Sequence, residues 1–508
     1  LKIVKDKFSY MENFILSIDQ GTTGTAIHLV DKNGEIRCTI DQEFPQIYPQ
    51  SGWVEHDPLT IWETVVRGIP AVLAKAKVSG QQIAAIGITN QRETVLVWDR
   101  STHKPVMNAI VWQCRRTTEF CEKLKKRKLE KLIQKKTGLV IDPYFSASKI
   151  RWILEQDSSL RAKAKRGLLA AGTMDCFLLW KLTNGNAHKT DVSNASRTQL
   201  MNIGNRSWDE DLLKIFGIPE AILPMIAHSN DQFGVTNGVP GLPDGLPICG
   251  LIGDQQAALF GQACFDVGQA KCTFGTGSFL LMNTGSQRVS SKAGLLTTIA
   301  WHLHGDKKPT YALEGGAFIC GAAVQWLRDE LGIISKSVEV ESLANEVSTA
   351  EGVQFVPAFV GLGAPYWDPN ARGVISGLTR GSGRAHIARA VLEAMALQNV
   401  DILVAMEKDL GRKLKSLRVD GGAVENNLLM QMQSDFLGVA VERPKIIEST
   451  AIGAAFMAGL GSGFWSSPAD LKKARKLEME FRPGLSAVMR KKRLGAWRRA
   501  IAQAQVSY

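Results

Sequence analysis

Apolar and polar positions alternate in short blocks along the chain, and the blocks predict strands and helices in turn. Residues 14–18 form an apolar run broken by Asp19-Gln20-Gly21-Thr22-Thr23-Gly24-Thr25, and residues 27–30 resume it. Asp31-Lys32-Asn33-Gly34 then turns the chain into another strand over 35–40. Far downstream, residues 271–274 lead into Gly275-Thr276-Gly277-Ser278, and residues 279–282 continue as a strand. Each segment reads as a β-hairpin tipped by glycine and hydroxyl residues. The recurrence predicts one hairpin in each of two similar domains, 13–262 and 263–508, with the boundary near Ala263.

Between the hairpins the pattern switches repeatedly from period two to the helical period. Residues 83–89 are a strand ending at Asn90-Gln91-Arg92-Glu93-Thr94, and 95–98 are extended again. Residues 247–252 read as a buried strand, after which Gly253-Asp254 opens a helix over 255–261. Ala388, Val391, Leu392 and Met395 fall at i, i+3, i+4 and i+7, which predicts an amphipathic helix over 387–406. A strand at 417–419 runs through Asp420-Gly421-Gly422-Ala423 into a helix opened near Asn426 or Asn427. The expected fold class is α/β, with two domains and a cleft between them where ligands bind.

Length and composition agree with this. A chain of 508 residues exceeds one ordinary core, and 45% hydrophobic with 22% charged residues is a globular balance. The formal net charge of +12 is concentrated in residues 123–136 and 490–499. Both runs interleave basic residues with Leu, Ile or Trp, as solvated amphipathic helices do, and no recognition motif accompanies them, so nucleic acid is not an expected partner. The eight cysteines are scattered without a Cys-x-x-Cys pair, which predicts buried free thiols in a reducing cytosol. The nearly uncharged stretch 450–465 falls short of the roughly 18 apolar residues of a membrane span, so no membrane insertion is expected. The first residues lack the apolar core of a signal peptide, and 1–10 read as an extension ahead of Met11.

The glycine-tipped hairpins bring in chemistry. Backbone N–H groups of a tight turn converge on an anion when no side chain blocks it, and Gly21, Gly24, Gly275 and Gly277 clear the approach. Thr22, Thr23, Thr276 and Ser278 add hydroxyl donors. Either turn alone is also what any glycine-rich turn looks like; two of them, one beside Asp19, point to nucleotide phosphates. A carboxylate there needs Mg²⁺ between itself and the phosphates, so Asp19 is the candidate metal residue. No P-loop is present. Arg92 and Glu93 read either as a surface ion pair or as hydrogen-bonding groups for a polyol. Trp112, Tyr144 and Phe279 are either core or the wall of a small carbon skeleton. Asp254 is either a helix N-cap or a general base. An acid of reference pKa near 3.9 suffices for phosphoryl transfer, because the attacking alcohol keeps its proton until late in a loose transition state.

Asp19–Thr23, Ser51-Gly52-Trp53-Val54-Glu55-His56-Asp57-Pro58, Asn90–Thr94, Trp112-Gln113-Cys114-Arg115-Arg116-Thr117, Asp142-Pro143-Tyr144-Phe145-Ser146, Gly253-Asp254-Gln255-Gln256-Ala257-Ala258, Gly275-Thr276-Gly277 and 420–423 together resemble the FGGY carbohydrate kinases. Several of these blocks resemble the glycerol kinases within that family, and the match runs from about residue 14 to beyond 483. The resemblance implies an actin-like, ribonuclease-H-like fold in both domains, the first for glycerol and phosphates, the second for nucleotide. It implies that Arg92, Glu93, Tyr144, Asp254 and Gln255 hold glycerol, with Trp112 and Phe279 walling its carbons and Asp254 as catalytic base. ATP or ADP would meet Thr22, Thr23, Gly24, Thr276, Gly321, Gln325, Gly422 and Asn426, and Asp19 would serve Mg²⁺. Similar enzymes form homodimers and homotetramers. Three positions depart from the pattern. Ala26 stands where many relatives carry Arg, removing one cationic phosphate contact. Residues 238–244 lack the basic side chains of relatives inhibited by fructose bisphosphate, so no such inhibition is expected. Val235 replaces a His phosphorylated in other relatives, so that control is not expected either.

Overall fold

The computed structural model describes residues 13–506, so the expectation for residues 1–10 lies outside the described residues. The first sheet grows from strand β1 (Phe14–Gln20), apolar and buried apart from a partly exposed Asp19 near its end. β2 (Gly24–Val30) and β3 (Ile36–Glu43) follow antiparallel, as the two turns predict. Helix α1 (Pro58–Ala76), capped by the Asp57 carboxylate on the Leu59 N–H, packs across β2 and β3. β4 (Ile83–Asn90) adds parallel to β1, the short β5 (Gly234–Val235) forms an edge, and β6 (Pro247–Gly253) lies parallel to β4. The order is β5-β6-β4-β1-β2-β3. Because β1, β4 and β6 are parallel and in register, pairing Gln20 with Asn90 and Asn90 with Gly253, their C-terminal ends share one edge.

Helix α2 (Asp254–Gly261) leads into the second sheet, where the hairpin of β7 (Ala270–Phe274) and β8 (Ser278–Gly285) forms as expected. β9 (Leu296–Trp301) and β10 (Thr310–Ala317) extend it on one side, and helices α3 (Gly321–Asp329) and α4 (Arg384–Leu410) follow. On the other side lie β11 (Ser416–Asp420), β12 (Ala440–Pro444) and β13 (Leu477–Phe481). Helix α5 (Asn427–Leu437) precedes β12, α6 (Ser449–Gly461) follows it, and α7 (Ala487–Ala504) ends the described chain. The order is β9-β10-β8-β7-β11-β12-β13, and β7 pairs with β11 in parallel, Thr273 opposite Asp420. The two glycine turns after Phe274 and Asp420 therefore also leave from a common edge.

Helix α4 corrects an expectation. It is longer than 387–406 and is not amphipathic, since every residue from 390 to 400 is buried. One face meets β8 and β10, while other faces meet α5 and the helix Glu339–Asn345. A helix enclosed on several sides carries apolar residues all round, and the four positions at helical spacing marked only one of its contacts.

The weakly charged stretch 450–465 has a structural use. Helix α6 belongs to the second half of the chain but packs on the first sheet, with Ser17 Oγ donating to the Ala451 carbonyl at 2.8 Å. It crosses α2 at backbone contact: a Cβ on Gly453 would sit 1.9 Å from the Ala257 oxygen. This crossing joins the two halves of the chain. The basic runs lie on the helices Thr118–Lys126, Glu130–Thr137 and α7, whose buried face is Trp497, Ala500, Ile501 and Ala504. All eight cysteines are buried and free, and burial pushes the Cys121 thiol up to about 12. Among the described residues no helix is long and apolar enough to cross a membrane.

Candidate active site

The common edge of β1, β4 and β6 delivers Asp19, the Gln91-Arg92-Glu93 turn and Asp254 to one place. Gly253 occupies the cap position of α2 and Asp254 is its first helical residue, without a side-chain cap bond, so the N-cap reading of Asp254 does not hold. Its Oδ1 accepts from the Gln255 N–H at 2.6 Å and faces Arg92 Nε at 3.1 Å, and its side chain keeps 28% exposure. Burial raises its carboxyl above the ordinary range, although Arg92 and Lys271 pull it down. A partly exposed carboxylate made more basic by burial, at a helix start, is equipped to accept a proton.

Arg92 and Glu93 are not a surface pair. Both are almost fully buried, and each has a stronger partner elsewhere. Arg92 makes a two-pronged pair with Glu314, at 2.7 and 2.9 Å, and reaches Gln256 Oε1 at 3.1 Å and the Tyr144 hydroxyl at 3.4 Å. Arg197 Nε donates to Glu93 at 2.6 Å and its NH2 to Glu314 at 2.9 Å. Two guanidiniums and two carboxylates thus form a closed buried cluster beside Asp254. Burial drives the Glu314 carboxyl up, but Arg197 and Arg92 outweigh it and hold it at about 2. Glu93 sits at φ 60°, a left-handed conformation unusual for a non-glycine residue and typical of over-determined functional turns. The donors of Arg92 are committed to Glu314, Gln256, Asp254 and Tyr144, and the Tyr144 contact is the longest of them. Gln255 is held as well, its Oε1 accepting from the buried Lys271 Nζ, which also donates to Thr273 Oγ1 at 2.7 Å.

Asp19 stands in a row of acids. Register places it opposite Ala26, and Ala26 opposite Asp41, so the three share one face of adjacent strands. Burial raises the Asp19 carboxyl well above the usual range, and Asp254, Glu448 and Asp41 raise it further. The charges that act on Asp19 all come from carboxylates, which are hard oxygen donors, and such a group fits a divalent cation such as Mg²⁺ arriving with its phosphates.

The predicted nucleotide residues fall into two groups. Thr22, Thr23 and Gly24 form the β1–β2 tip, closed by the Gly21 N–H on the Gly24 carbonyl at 2.9 Å. Thr276 lies at the β7–β8 tip, which docks on the start of α3: the Gly321 N–H donates to the Gly275 carbonyl at 2.9 Å. A Cβ on Gly321 would meet that carbonyl at 2.7 Å, which explains the glycine. Gln325 lies one turn further along α3, exposed. Gly422 opens the turn after β11 with free space around it, and Asn426 caps α5, its Oδ1 accepting from the Leu429 N–H at 2.8 Å. The capping leaves the Asn426 amide nitrogen free to donate to a ligand. Trp112 connects the two groups. Its Nε1 donates to Thr22 Oγ1 at 3.0 Å, and its ring meets Tyr144 and Phe279 edge-on at 5.6 and 6.2 Å. The three aromatics are half-buried and share one wall.

Sequence reading missed Glu314, Arg197, Gln256, Lys271, Asp41 and Glu448. A signal existed for Glu314, a lone charge in the apolar strand β10, and for Lys271, a buried lysine within β7. None marked Arg197, whose partners lie 104 and 117 residues away.

Comparison with known proteins gives the family. Residues 14–261 match the N-terminal domain of the FGGY family of carbohydrate kinases, and residues 270–462 match its C-terminal domain. The chain is 60% identical to a glycerol kinase of Bdellovibrio bacteriovorus over 97% of its own length and 99% of that protein. It is 54% identical to a glycerol kinase of Symbiobacterium thermophilum, again over 97% and 99%. The crystal structure of Plasmodium falciparum glycerol kinase with ADP superposes at a TM-score of 0.91, with 39% identity, covering 98% of this chain and 99% of that one. The chain belongs to the FGGY family of carbohydrate kinases.

Proposed function

We propose that this chain is a glycerol kinase, which transfers the γ-phosphoryl group of Mg-ATP to glycerol and releases sn-glycerol 3-phosphate and ADP in glycerol catabolism. The observation that carries the reading is the Trp112 bridge, which links the hydroxyl-bearing tip at Thr22 to Phe279 of the second hairpin, beside Tyr144. In this reading residues 13–262 supply glycerol and phosphate contacts, and residues 263–508 the nucleotide. Trp112, Tyr144 and Phe279 pack against the three carbons, while Arg92, Glu93 and Gln255 hold the hydroxyls. Asp254 accepts the proton of the attacking hydroxyl as it adds to phosphorus and the β–γ bridging oxygen leaves with ADP. Thr22, Thr23, Gly24 and Thr276 donate to phosphate oxygens, and Gly321, Gln325, Gly422 and Asn426 line the nucleoside side. Asp19 would hold the Mg²⁺ of Mg-ATP, and that ion would neutralise phosphate charge. The reduced cysteines suit the cytosol, and a homodimer or homotetramer is carried over from similar enzymes.

The test is direct: purified protein, Mg-ATP and glycerol, with the product identified as glycerol 3-phosphate. A stronger preference for xylulose, ribulose or gluconate would overturn the glycerol assignment, and absence of transfer to any polyol would overturn the kinase.

Ala26 makes a second prediction. An arginine there would lie between Asp19 and Asp41, across the strands that hold them, and would reach the phosphates from their metal-bearing side. Ala26→Arg is expected to lower KM for ATP about tenfold, the effect of one charge-assisted hydrogen bond. An unchanged or poorer KM means the acid row is already compensated.

A further inference from the structure

We infer that His228, Asp231 and His304 form a binding site for one divalent transition-metal ion, Zn²⁺ by preference, that clips the two halves of the chain together. This goes beyond the kinase reading and does not depend on it. His228 and Asp231 lie in the loop between strand Met225–Ala227 and β5, beside the first sheet. His304 lies in the turn between β9 and β10 of the second sheet. Their ligand atoms all fall within 4.8 Å of one another, the one such group among the described residues.

The spacing suits coordination better than hydrogen bonding. His228 Nδ1 lies 3.4 Å from Asp231 Oδ2, and His304 Nδ1 lies 3.3 Å from Asp231 Oδ1. Both separations exceed the common range for a nitrogen–oxygen hydrogen bond, about 2.7–3.2 Å. The two distances end on different Asp231 oxygens, and each is close to the edge, roughly 3.3 Å, of a tetrahedron built on zinc–ligand bonds of about 2.0–2.1 Å. Two imidazoles and one carboxylate are a borderline donor set that favours Zn²⁺ over Mg²⁺ or Ca²⁺, with water completing the shell.

The ligands are also held in place. The His228 N–H donates to Asp231 Oδ2 at 3.2 Å, and the His304 N–H donates to Asn230 Oδ1 at 2.6 Å. The His228 ring packs on His302 at 4.3 Å, and the Ser229 N–H donates to the His302 carbonyl at 2.9 Å. The two loops are therefore already paired across the halves, and His304, with 74% of its side chain exposed, leaves an entry path. Behind the loop, Ser229 Oγ donates to Asp191 at 2.7 Å. Ser193 also donates to Asp191, at 2.9 Å, and accepts from the N–H of Gly253, the residue before Asp254. An ion at the clip would thus stiffen a loop that is tied to the strand end carrying Asp254.

The experiment uses the full-length chain stripped of metal by chelation and kept in excess Mg²⁺, so that hard-oxygen sites are filled. Titration with Zn²⁺, by calorimetry and by competition with a chromophoric chelator, is expected to show one equivalent bound. Saturation at a hundredfold excess over Kd is expected to raise Tm by about 2–3 °C. His304→Ala, an exposed turn substitution that leaves the metal-free Tm unchanged, is expected to weaken binding at least tenfold and abolish the Tm rise, and Asp231→Asn to do the same. Zinc affinity equal to that of the unmodified chain in both variants, or no stoichiometric binding at all, overturns the site.

Discussion

Asp254→Asn is expected to lower kcat by about a thousandfold, the loss typical of a missing general base. The amide can still accept from the Gln255 N–H and fill the same volume, so α2 keeps its start and the cleft its shape. What it loses is the capacity to take the proton. Arg92 retains Glu314, Gln256 and Tyr144 as partners, so the buried cluster survives the change. Nucleotide binding, measured by ADP titration, is expected to stay close to that of the unmodified enzyme, because the proposed nucleotide contacts lie on the glycine turns and α3. The acid limb of the kcat profile provides a second readout. Burial raises the Asp254 carboxyl, so protonation disables it at a pH above the usual carboxylate range, and that limb should vanish with the residue. Near-normal turnover in the variant would remove Asp254 as the base.

The largest stability effect is expected at Glu314. Glu314→Gln leaves Arg92 and Arg197 buried with one carboxylate, Glu93, and the exposed-side Asp254 between them. Breaking a buried ion cluster from one side costs about 3–5 kcal/mol, because the remaining charge stays desolvated. For a chain of 508 residues this lowers Tm by about 3–5 °C. The pH dependence has a definite sign. The folded carboxyl is held at about 2, below its ordinary value of 4.5, so its stabilising contribution is complete above 4.5 and is lost as pH falls toward 2. Thermal melts between those limits should show the unmodified protein converging on the variant. A Tm equal to that of the unmodified protein at neutral pH would mean that the cluster does not hold the Arg92 turn. KM for glycerol is the companion measurement, since a displaced Arg92 no longer positions Tyr144 or Asp254.

The hairpins, the strand ending before Asn90, the strand-to-helix step at Gly253-Asp254 and the start of α5 near Asn426 were all legible in the chain. Each is encoded within about ten residues, by a period-two run and the glycine or Asn/Asp that ends it. The length and burial of α4 were not, because a helix enclosed by a sheet and two other helices takes its apolar surface from all its neighbours. The pairing of Arg92 and Glu93 was misleading for a similar reason. Adjacent opposite charges suggest each other as sole partners, yet the two meet at 3.9 Å while each makes a shorter pair with a distant residue, Arg92 with Glu314 and Glu93 with Arg197.

The amino-acid sequence by itself determined the chemistry available to this protein: two hydroxyl-bearing glycine tips, a strand-end Asp19, a helix-start Asp254 and a family pattern that runs the length of the chain. Tertiary structure alone decided which groups act on one another. Arg92 meets Glu314 across 222 residues, Thr22 meets Trp112 across 90, and Asp19 joins Asp41 through two strand registers. Turn and strand preferences are set by steric and hydrogen-bonding limits within a few residues. Charge partnership in a buried site depends instead on which strands become neighbours, and no local spacing records that.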